Sequence, residues 1–405
     1  MVGPPVGLYV HVPFCVSVCP YCDFVVVAGA AARGSRSSVE RFLRAIEAEL
    51  SLRADALDER HGSPSRRRRL RSLYLGGGTP SLLPAAAIAR LVGLVRSRFG
   101  LADDAEVTIE ANPGPDERGD ASALRDAGVT RLSIGAQSLD DAELRVLGRR
   151  HRAADVGAAI RAARSAGIAS VGLDLLSDAP GGSLARFEAT LTAALELAPD
   201  HLSLYALALD DPEAEGLTGP LGDHLPPSAG ARRWRERARR AQDEERAAAQ
   251  YELATARLAA AGFRGYEISN WARPGHESRH NLGYWRSEPH EAVGPGAHAF
   301  DGLVRRWNAA PLAPYLDALD PPDGSPPRLP PGSGEALPPP AAAAEAVILA
   351  LRLDTGVSAA EAARPPLGPL LGWAFEAGLL AAAADRVALT THGRLLSNEL
   401  FARLV

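Results

Sequence analysis

The chain has 405 residues, 23% of them charged, and a formal net charge of -5. That length carries two or three domains with a sizeable core, and the near-balanced charge argues against nucleic acid, whose phosphates need a basic surface. No run of about 18 uncharged apolar residues predicts a membrane span, and the opening MVGPPVGLYVHVPFC lacks the basic region and apolar core of a signal peptide, so a cytoplasmic location is expected.

Leu8 to His11 reads as a strand running into a cysteine-bearing loop. Val39, Phe42, Leu43, Ile46 and Leu50 then share one helical face, and Ser37 and Glu40 have the spacing of a capping box. Ser72 to Leu75 is a short apolar strand ending at Gly76-Gly77-Gly78, followed by the helical face of Ile88, Leu91, Val92 and Val95. Further strands are predicted at Val107 to Ala111, Arg131 to Ile134, Val171 to Leu176 and His201 to Leu207. Helices are predicted over Ala154 to Ser165, closed by Gly167, and over Leu184 to Leu197. About six β-then-α units predict an α/β fold with a parallel, barrel-like sheet, an incomplete (β/α)6 barrel. Sites in such sheets form at the C-terminal ends of strands. The cysteines, the glycine triplet, Glu110, Asn112, Gln137 and Asp174 all follow or end a predicted strand.

The barrel is assigned to residues 1–235, with 208–240 a polar, Arg-rich excursion from it. A loop-rich region takes 236–320, within which Asp243 to Ala261 is a helix stopped by Gly262. Nine prolines between 321 and 340 mark a stiff linker, assigned to 321–341. Residues 342–405, with two or three helices and a short strand from Val387 to Thr390, fit a small winged-helix-like domain.

The three cysteines fall within eight residues, as Cys15-x3-Cys19-x2-Cys22. An odd number cannot all pair as disulfides, and clustered cysteines in a cytosolic chain read as metal ligands. Three thiolates on a four-iron cubane leave one iron without a protein ligand, and a donor with adjacent amine and carboxylate can chelate that iron. The alternative is zinc with Asp23 or His11 as fourth ligand, although structural zinc usually shows two separated arms rather than one compact loop.

The segment LYVHVPFCVSVCPYCDF resembles the radical S-adenosylmethionine superfamily, and within it the oxygen-independent coproporphyrinogen oxidase branch. The resemblance continues through Gly76 to Pro80, Glu110 to Pro113, Arg131 to Ser138, Leu147 to His151, and Asp174. It implies a [4Fe–4S] cluster on Cys15, Cys19 and Cys22, with S-adenosylmethionine on the open iron. In that chemistry one electron from the reduced cluster breaks a carbon–sulfur bond of the sulfonium. The resemblance sets Tyr9 beside the cofactor and has Tyr21 offer its backbone. It gives the methionyl amino group to Gly77, Gly78 and Thr79, where a side chain would block backbone approach. Glu110 would accept from the ribose hydroxyls, and Gln137, Arg149 and Asp174 would line the same pocket.

Two kinds of protein in that branch differ in function. The oxidases, which decarboxylate two propionates of coproporphyrinogen III, carry a fourth cysteine two residues past the third and a longer region before the cluster. Here Phe24 holds that position and the first cysteine is residue 15. The HemW-type haem chaperones have a CxxxCxxCxF loop and an HNxxYW motif, and this chain reads His280-Asn281-Leu282-Gly283-Tyr284-Trp285. The stretches Tyr266 to Gly275 and Val387 to Arg394 are similar to the same family.

That resemblance makes 236–320 a haem-binding region. His280 would supply an imidazole to iron, and Asn281, Tyr284 and Trp285 would form the rest of the site, the two aromatics stacking on porphyrin. His290 and His298 are nearby alternatives. The residues by themselves favour a hydrogen-bonded loop at His280 and Asn281 with Trp285 in the core, and it is the resemblance that turns the reading to haem. The expected function is a chaperone, rather than an enzyme, that carries the cluster, S-adenosylmethionine and haem and delivers haem to haem-dependent respiratory proteins. The alternative is an oxygen-independent coproporphyrinogen III oxidase. Ser177 to Gly182 departs from the Gly-Leu-Pro-Gly-Gln stretch usual in the family, and Ser278 stands where a cysteine is frequent. The basic run Arg66 to Arg69 reads as a solvated loop, or as a contact for an anionic membrane or partner surface.

Overall fold

The computed structural model describes residues 3–28 and 36–405. Six strands lie side by side in chain order, all parallel: β1 (Gly7–Val12), β2 (Leu70–Gly77), β3 (Leu101–Ala111), β4 (Arg131–Gln137), β5 (Ser170–Ser177) and β6 (His201–Ala206). The helices between them are α1 (Arg36–His61), α2 (Ala85–Phe99), α3 (Ala121–Asp126), α4 (Asp141–Val146), α5 (Ala153–Ala166) and α6 (Leu184–Glu196). Alternation along β1 sets its two faces. Leu8, Val10 and Val12 are buried against Phe42 and Ile46 of α1, while Tyr9 and His11 point into the barrel. The expected (β/α)6 core is therefore present; β1 to β5 each extend a residue or more beyond the apolar run that marks them, and β6 ends at Ala206, one residue short of the expected Leu207.

The sheet continues past both ends of this core. Beyond β6 come β8 (Asn270–Ala272) and β7 (Arg264–Gly265), antiparallel. Beyond β1 come β9 (His290–Val293), parallel to it, and then β10 (His298–Phe300), β11 (Val304–Asn308) and β12 (Gly332–Ala336), antiparallel. Two expectations change here. Residues 321–341 are not a plain linker: the prolines stop at Pro331 and resume at Pro338, and the proline-free piece between them pairs with β11 as an edge strand. The excursion at 208–240 contains a helix, α7 (Ala229–Arg239), whose cap is the Ser228 hydroxyl accepting from Ala231 N–H. Next come α8 (Glu244–Ala260), started by Asp243, α9 (Arg279–Trp285) and α10 (Leu312–Leu319).

At the C-terminus, α11 (Pro339–Arg352) opens on prolines, which the first helical turn tolerates. It leads into short helices and a three-stranded antiparallel sheet of Val357–Ser358, Leu380–Ala383 and Arg386–Leu389, with a core of its own around Leu351, Leu367, Val387 and Leu400. The capping box expected at Ser37 and Glu40 involves a side chain outside those described. Arg67, in the basic run, is turned inward and donates to Gly62 O and Arg98 O, so that run is not one uniform solvated face. Among the described residues no helix is long and apolar enough to cross a membrane.

Candidate cofactor site at the mouth of the barrel

The three cysteines sit on the loop leaving β1. Gly78 N–H donates to Val12 O at 2.8 Å and Thr79 N–H to Phe14 O at 2.7 Å, so the turn after β2 grips the start of this loop. Within it Cys22 N–H bonds to Cys19 O at 3.0 Å. Thr79 Oγ1 lies 3.5 Å from Cys15 Sγ and accepts from Asn112 Nδ2 at 3.0 Å. Arg149 crosses the mouth. Its Nη1 is 3.5 Å from Cys19 Sγ, and its Nη2 donates to Asn112 Oδ1 and to Gly135 O at 2.8 Å.

Arg235 of α7, which sequence reasoning missed, holds the other side. It is 4% exposed and donates to Pro20 O, Tyr21 O, Cys22 O and Asp210 O, the last two at 2.9 and 2.6 Å. Its signal was hidden in an Arg-rich helix that looks solvated throughout. The backbone expected of Tyr21 is thereby engaged, and the Tyr21 hydroxyl is buried with no partner among the described residues.

The donor set suits an iron–sulfur cubane. Both ring nitrogens of His11 are engaged, with Tyr9 OH at 3.1 Å and Val25 O at 2.7 Å, so His11 is no fourth zinc ligand. Among the described residues no three His, Cys, Asp or Glu side chains converge on one ion. Burial pushes the Cys15 thiol up to about 11 and Cys22 up to about 12. A cationic group against them supplies the charge that draws such thiols into thiolates.

The glycine triplet is required by crowding. At Gly77, φ is +107° and a Cβ would fall 2.4 Å from the His11 ring; at Gly78 it would fall 2.6 Å from Phe14 O. With Gly77, Gly78 and Thr79 N–H groups all bonded inside the protein, what this turn can offer an amino group is carbonyl oxygen. Glu110 accepts from Tyr74 OH at 2.8 Å and Gly77 N–H at 2.9 Å; burial raises it to about 7 and those two bonds partly offset the rise. Gln137 ends β4 at φ +66°, beside a register shift, and its amide lies with Asn112 and Arg149 around Gly135. A non-glycine residue held in that region is a strained position of the kind that marks sites. Asp174 accepts from Ser133 Oγ at 3.1 Å and Ser203 Oγ at 2.7 Å, and burial raises it. Tyr9 stands in the barrel against Tyr74.

The HNxxYW segment lies elsewhere. It forms α9, whose N-terminus receives the Glu106 carboxylate on the Arg279 and His280 N–H groups, and it plugs the barrel beside Gly7 and Ser72, where the parallel strands start. His280 Nδ1 is 2.9 Å from Ser72 Oγ and Nε2 is 2.7 Å from Tyr284 OH; burial lowers it to about 3. The ring stacks on Tyr74, and the space beside it is about 10 Å³, room for barely one water. Arg352 of α11 covers the Trp285 ring at 4.2 Å. Asn281 is half-buried on α9, its N–H bonded to Ser278 Oγ. Five strand residues separate Gly7 from Val12, so this end is about 17 Å from the cysteine loop.

A six-stranded parallel half-barrel with a three-cysteine loop at its C-terminal rim defines a radical S-adenosylmethionine protein, and residues 9–192 match the model of the Radical SAM superfamily. Membership implies a [4Fe–4S] cluster and S-adenosylmethionine. The chain is 39% identical over 409 residues to the Heme chaperone HemW of Mycobacterium tuberculosis, covering all of this chain and 96% of that one. It is 32% identical to the Heme chaperone HemW of Bacillus subtilis, covering 97% of each. The chain therefore belongs to the HemW family. Among solved structures it overlays on the coproporphyrinogen III oxidase HemN of Escherichia coli with a TM-score of 0.76 at 24% identity, over all of this chain and 91% of the other, which is a likeness of fold.

Proposed function

We propose that this protein is a haem chaperone: it binds haem, carries a [4Fe–4S] cluster on Cys15, Cys19 and Cys22 with S-adenosylmethionine beside it, and passes haem to haem-dependent respiratory proteins. What carries the reading is kinship along the whole chain with proteins named as haem chaperones. Phe24, where the oxidases resembled by this loop have a fourth cysteine, supports it.

The cluster, when bound, supplies an electron to the sulfonium of its ligand. This chain's own residues bind and orient. Thr79 and Arg149 hold Cys15 and Cys19 at the rim. Carbonyls of Gly77 and Gly78 take the methionyl amine, Glu110 takes the ribose hydroxyls, and Gln137, Arg149 and Asp174 close the pocket around the nucleoside. Tyr21 offers its backbone at the cofactor, its ring set near Trp234 behind the loop.

The test is to reconstitute the protein anaerobically, titrate haem by its Soret band, and then offer the loaded protein to a haem-free respiratory reductase. One haem per chain, followed by activation of the reductase, is the expected result. Conversion of coproporphyrinogen III to protoporphyrinogen with reductant and S-adenosylmethionine would overturn it in favour of the oxidase.

A further inference from the structure

Three stretches that lie far apart in the sequence, Tyr266 to Gly275, the HNxxYW segment and Val387 to Arg394, meet at one junction between the barrel and the C-terminal domain. Glu267, 0% exposed, stands at its centre. Its Oε1 accepts from Ser269 N–H at 3.0 Å and from Asn270 Nδ2, and its Oε2 faces Arg352, the last residue of α11, at 3.5 Å. Its main chain bridges to Leu353, and its carbonyl oxygen accepts from Arg394 Nη1 at 3.5 Å. Asp354 N–H donates to Tyr266 O at 3.0 Å, and Arg264 Nε to Asp354 Oδ2 at 2.7 Å. The C-terminal domain is thus held to the barrel at the residues just ahead of β8.

Arg352 serves two partners at once. Besides facing Glu267, its guanidinium lies 4.2 Å from the centre of the Trp285 ring, a cation–π pair. Trp285 is half-buried, so part of its ring stays open. Arg352 Nε, Glu267 Oε2 and Trp285 Nε1 are all buried and have no hydrogen-bond partner among the described residues. A buried polar group without a partner is costly, and three at one contact call for a reason beyond packing. Alongside lies a hollow of about 190 Å³, walled by Tyr284 and Phe300 on the barrel side and by Leu349 of α11. That is less than the roughly 300–1,000 Å³ usual for small-molecule sites, so a flat ligand seated at this end of α9 reaches α11 as well.

Resting on the haem-binding reading above, with the porphyrin against Tyr284 and Trp285 as the HNxxYW resemblance implies, we propose that Arg352 is a positioning residue of the haem site, and that through it haem on α9 holds the C-terminal domain to the barrel. Arg352, anchored on Glu267, backs one face of the Trp285 ring and leaves the other to the porphyrin. A planar guanidinium suits both tasks, since it stacks on the ring and keeps its N–H groups for the carboxylate. The coupling runs both ways. Whatever factor the docked domain adds to the affinity for haem, haem adds to the affinity of the domain for the barrel. A loaded chain therefore differs from an empty one in how firmly its C-terminal domain is held.

The experiment uses full-length, cluster-reconstituted protein and haemin. The Soret band reads affinity, and hydrogen exchange at 339–353 and 387–394 reads the hold on the C-terminal domain. Haemin is expected to slow exchange in both segments of the wild type. Arg352→Met, which keeps an unbranched stem and loses the charge, is expected to bind haemin about 5–150-fold more weakly and to lose that protection, with circular dichroism and iron content unchanged. Arg352→Lys should recover only part. In a Trp285→Ala background Arg352→Met is expected to cost nothing further, because it acts through that ring; a structural role would add the same loss in either background. Glu267→Gln, which loosens the anchor, is expected to act in the same direction and decides the matter where Arg352→Met does not fold. Wild-type affinity in the folded variant, losses that add to that of Trp285→Ala, or haemin protection that survives Arg352→Met overturns the proposal while leaving haem binding in place. Failure of the wild type itself to take up haemin removes the chaperone reading and this inference with it.

Discussion

Arg235 gives its guanidinium donors to four main-chain carbonyls, three of them on the cysteine loop. A planar fork of five N–H groups suits such a set, and an ammonium does not. Each buried carbonyl left without its donor costs about 1–3 kcal/mol. Arg235→Met is therefore expected to loosen the loop while the barrel stays folded. The measurement is iron per chain after reconstitution and the rate at which the cluster is lost in air; Arg235→Lys should recover only part. An iron content equal to wild type in Arg235→Met would show that the loop holds its shape without the arginine. The cysteines themselves were legible in the sequence because their spacing carries the chemistry. Arg235 was not, because six arginines lie between 232 and 240 and burial selects one of them without leaving a trace in the pattern.

At the scale of elements, the turn after β2 joins two things that the sequence presents separately, a glycine triplet and a cysteine loop. Gly78 has no room for a methyl group because the Phe14 carbonyl is backbone and cannot swing away. Gly78→Ala is expected to destabilise by about 1–3 kcal/mol, the usual cost of overpacking, and to reduce cluster occupancy as well. Urea unfolding together with iron content checks this; a change in stability alone would mean that the turn and the loop are independent. The parallel strands were readable because strands buried on both faces are apolar runs. β12 was not, since Gly332–Ala336 buries almost nothing and is held by main-chain bonds to β11. α7 was missed for a related reason: its buried positions are an arginine and an alanine rather than an apolar stripe. α9 carries the HNxxYW motif, and only the packing of α9 under the strands shows that His280 bonds to Ser72 Oγ and Tyr284 OH.

The whole molecule carries an acid sensitivity in its interior. Burial lowers His11 and His151 to about 4, His280 to about 3, and His201 well below the ordinary value. Unfolding frees each of them to titrate near 6.5, so below that pH the unfolded chain binds more protons than the folded one. Each contributes stability that is present above about pH 6.5 and is lost as pH falls toward 4, by up to about 1.4 kcal/mol per pH unit. Glu110 runs the other way: raised to about 7 in the fold, it gains stability as pH falls from 7 toward its unfolded value, and offsets about one histidine. The urea midpoint of the cluster-free protein is expected to be clearly lower at pH 5 than at pH 7. A flat profile would mean that these imidazoles are not buried neutral.

The arginine that shapes the cysteine loop lies 213 residues downstream of Cys22, and β9, the outer neighbour of β1, comes later still. A ribosome adding about 5–20 residues per second releases the three thiols roughly ten to forty seconds before Arg235 has even been made. Through that interval the nascent chain holds a bare, unformed thiol trio, open to oxidation and to stray metal. Cluster delivery therefore belongs after translation is complete. The loading machinery meets a finished barrel, and growth under oxidative stress or metal excess should injure newly made chains before it injures loaded ones.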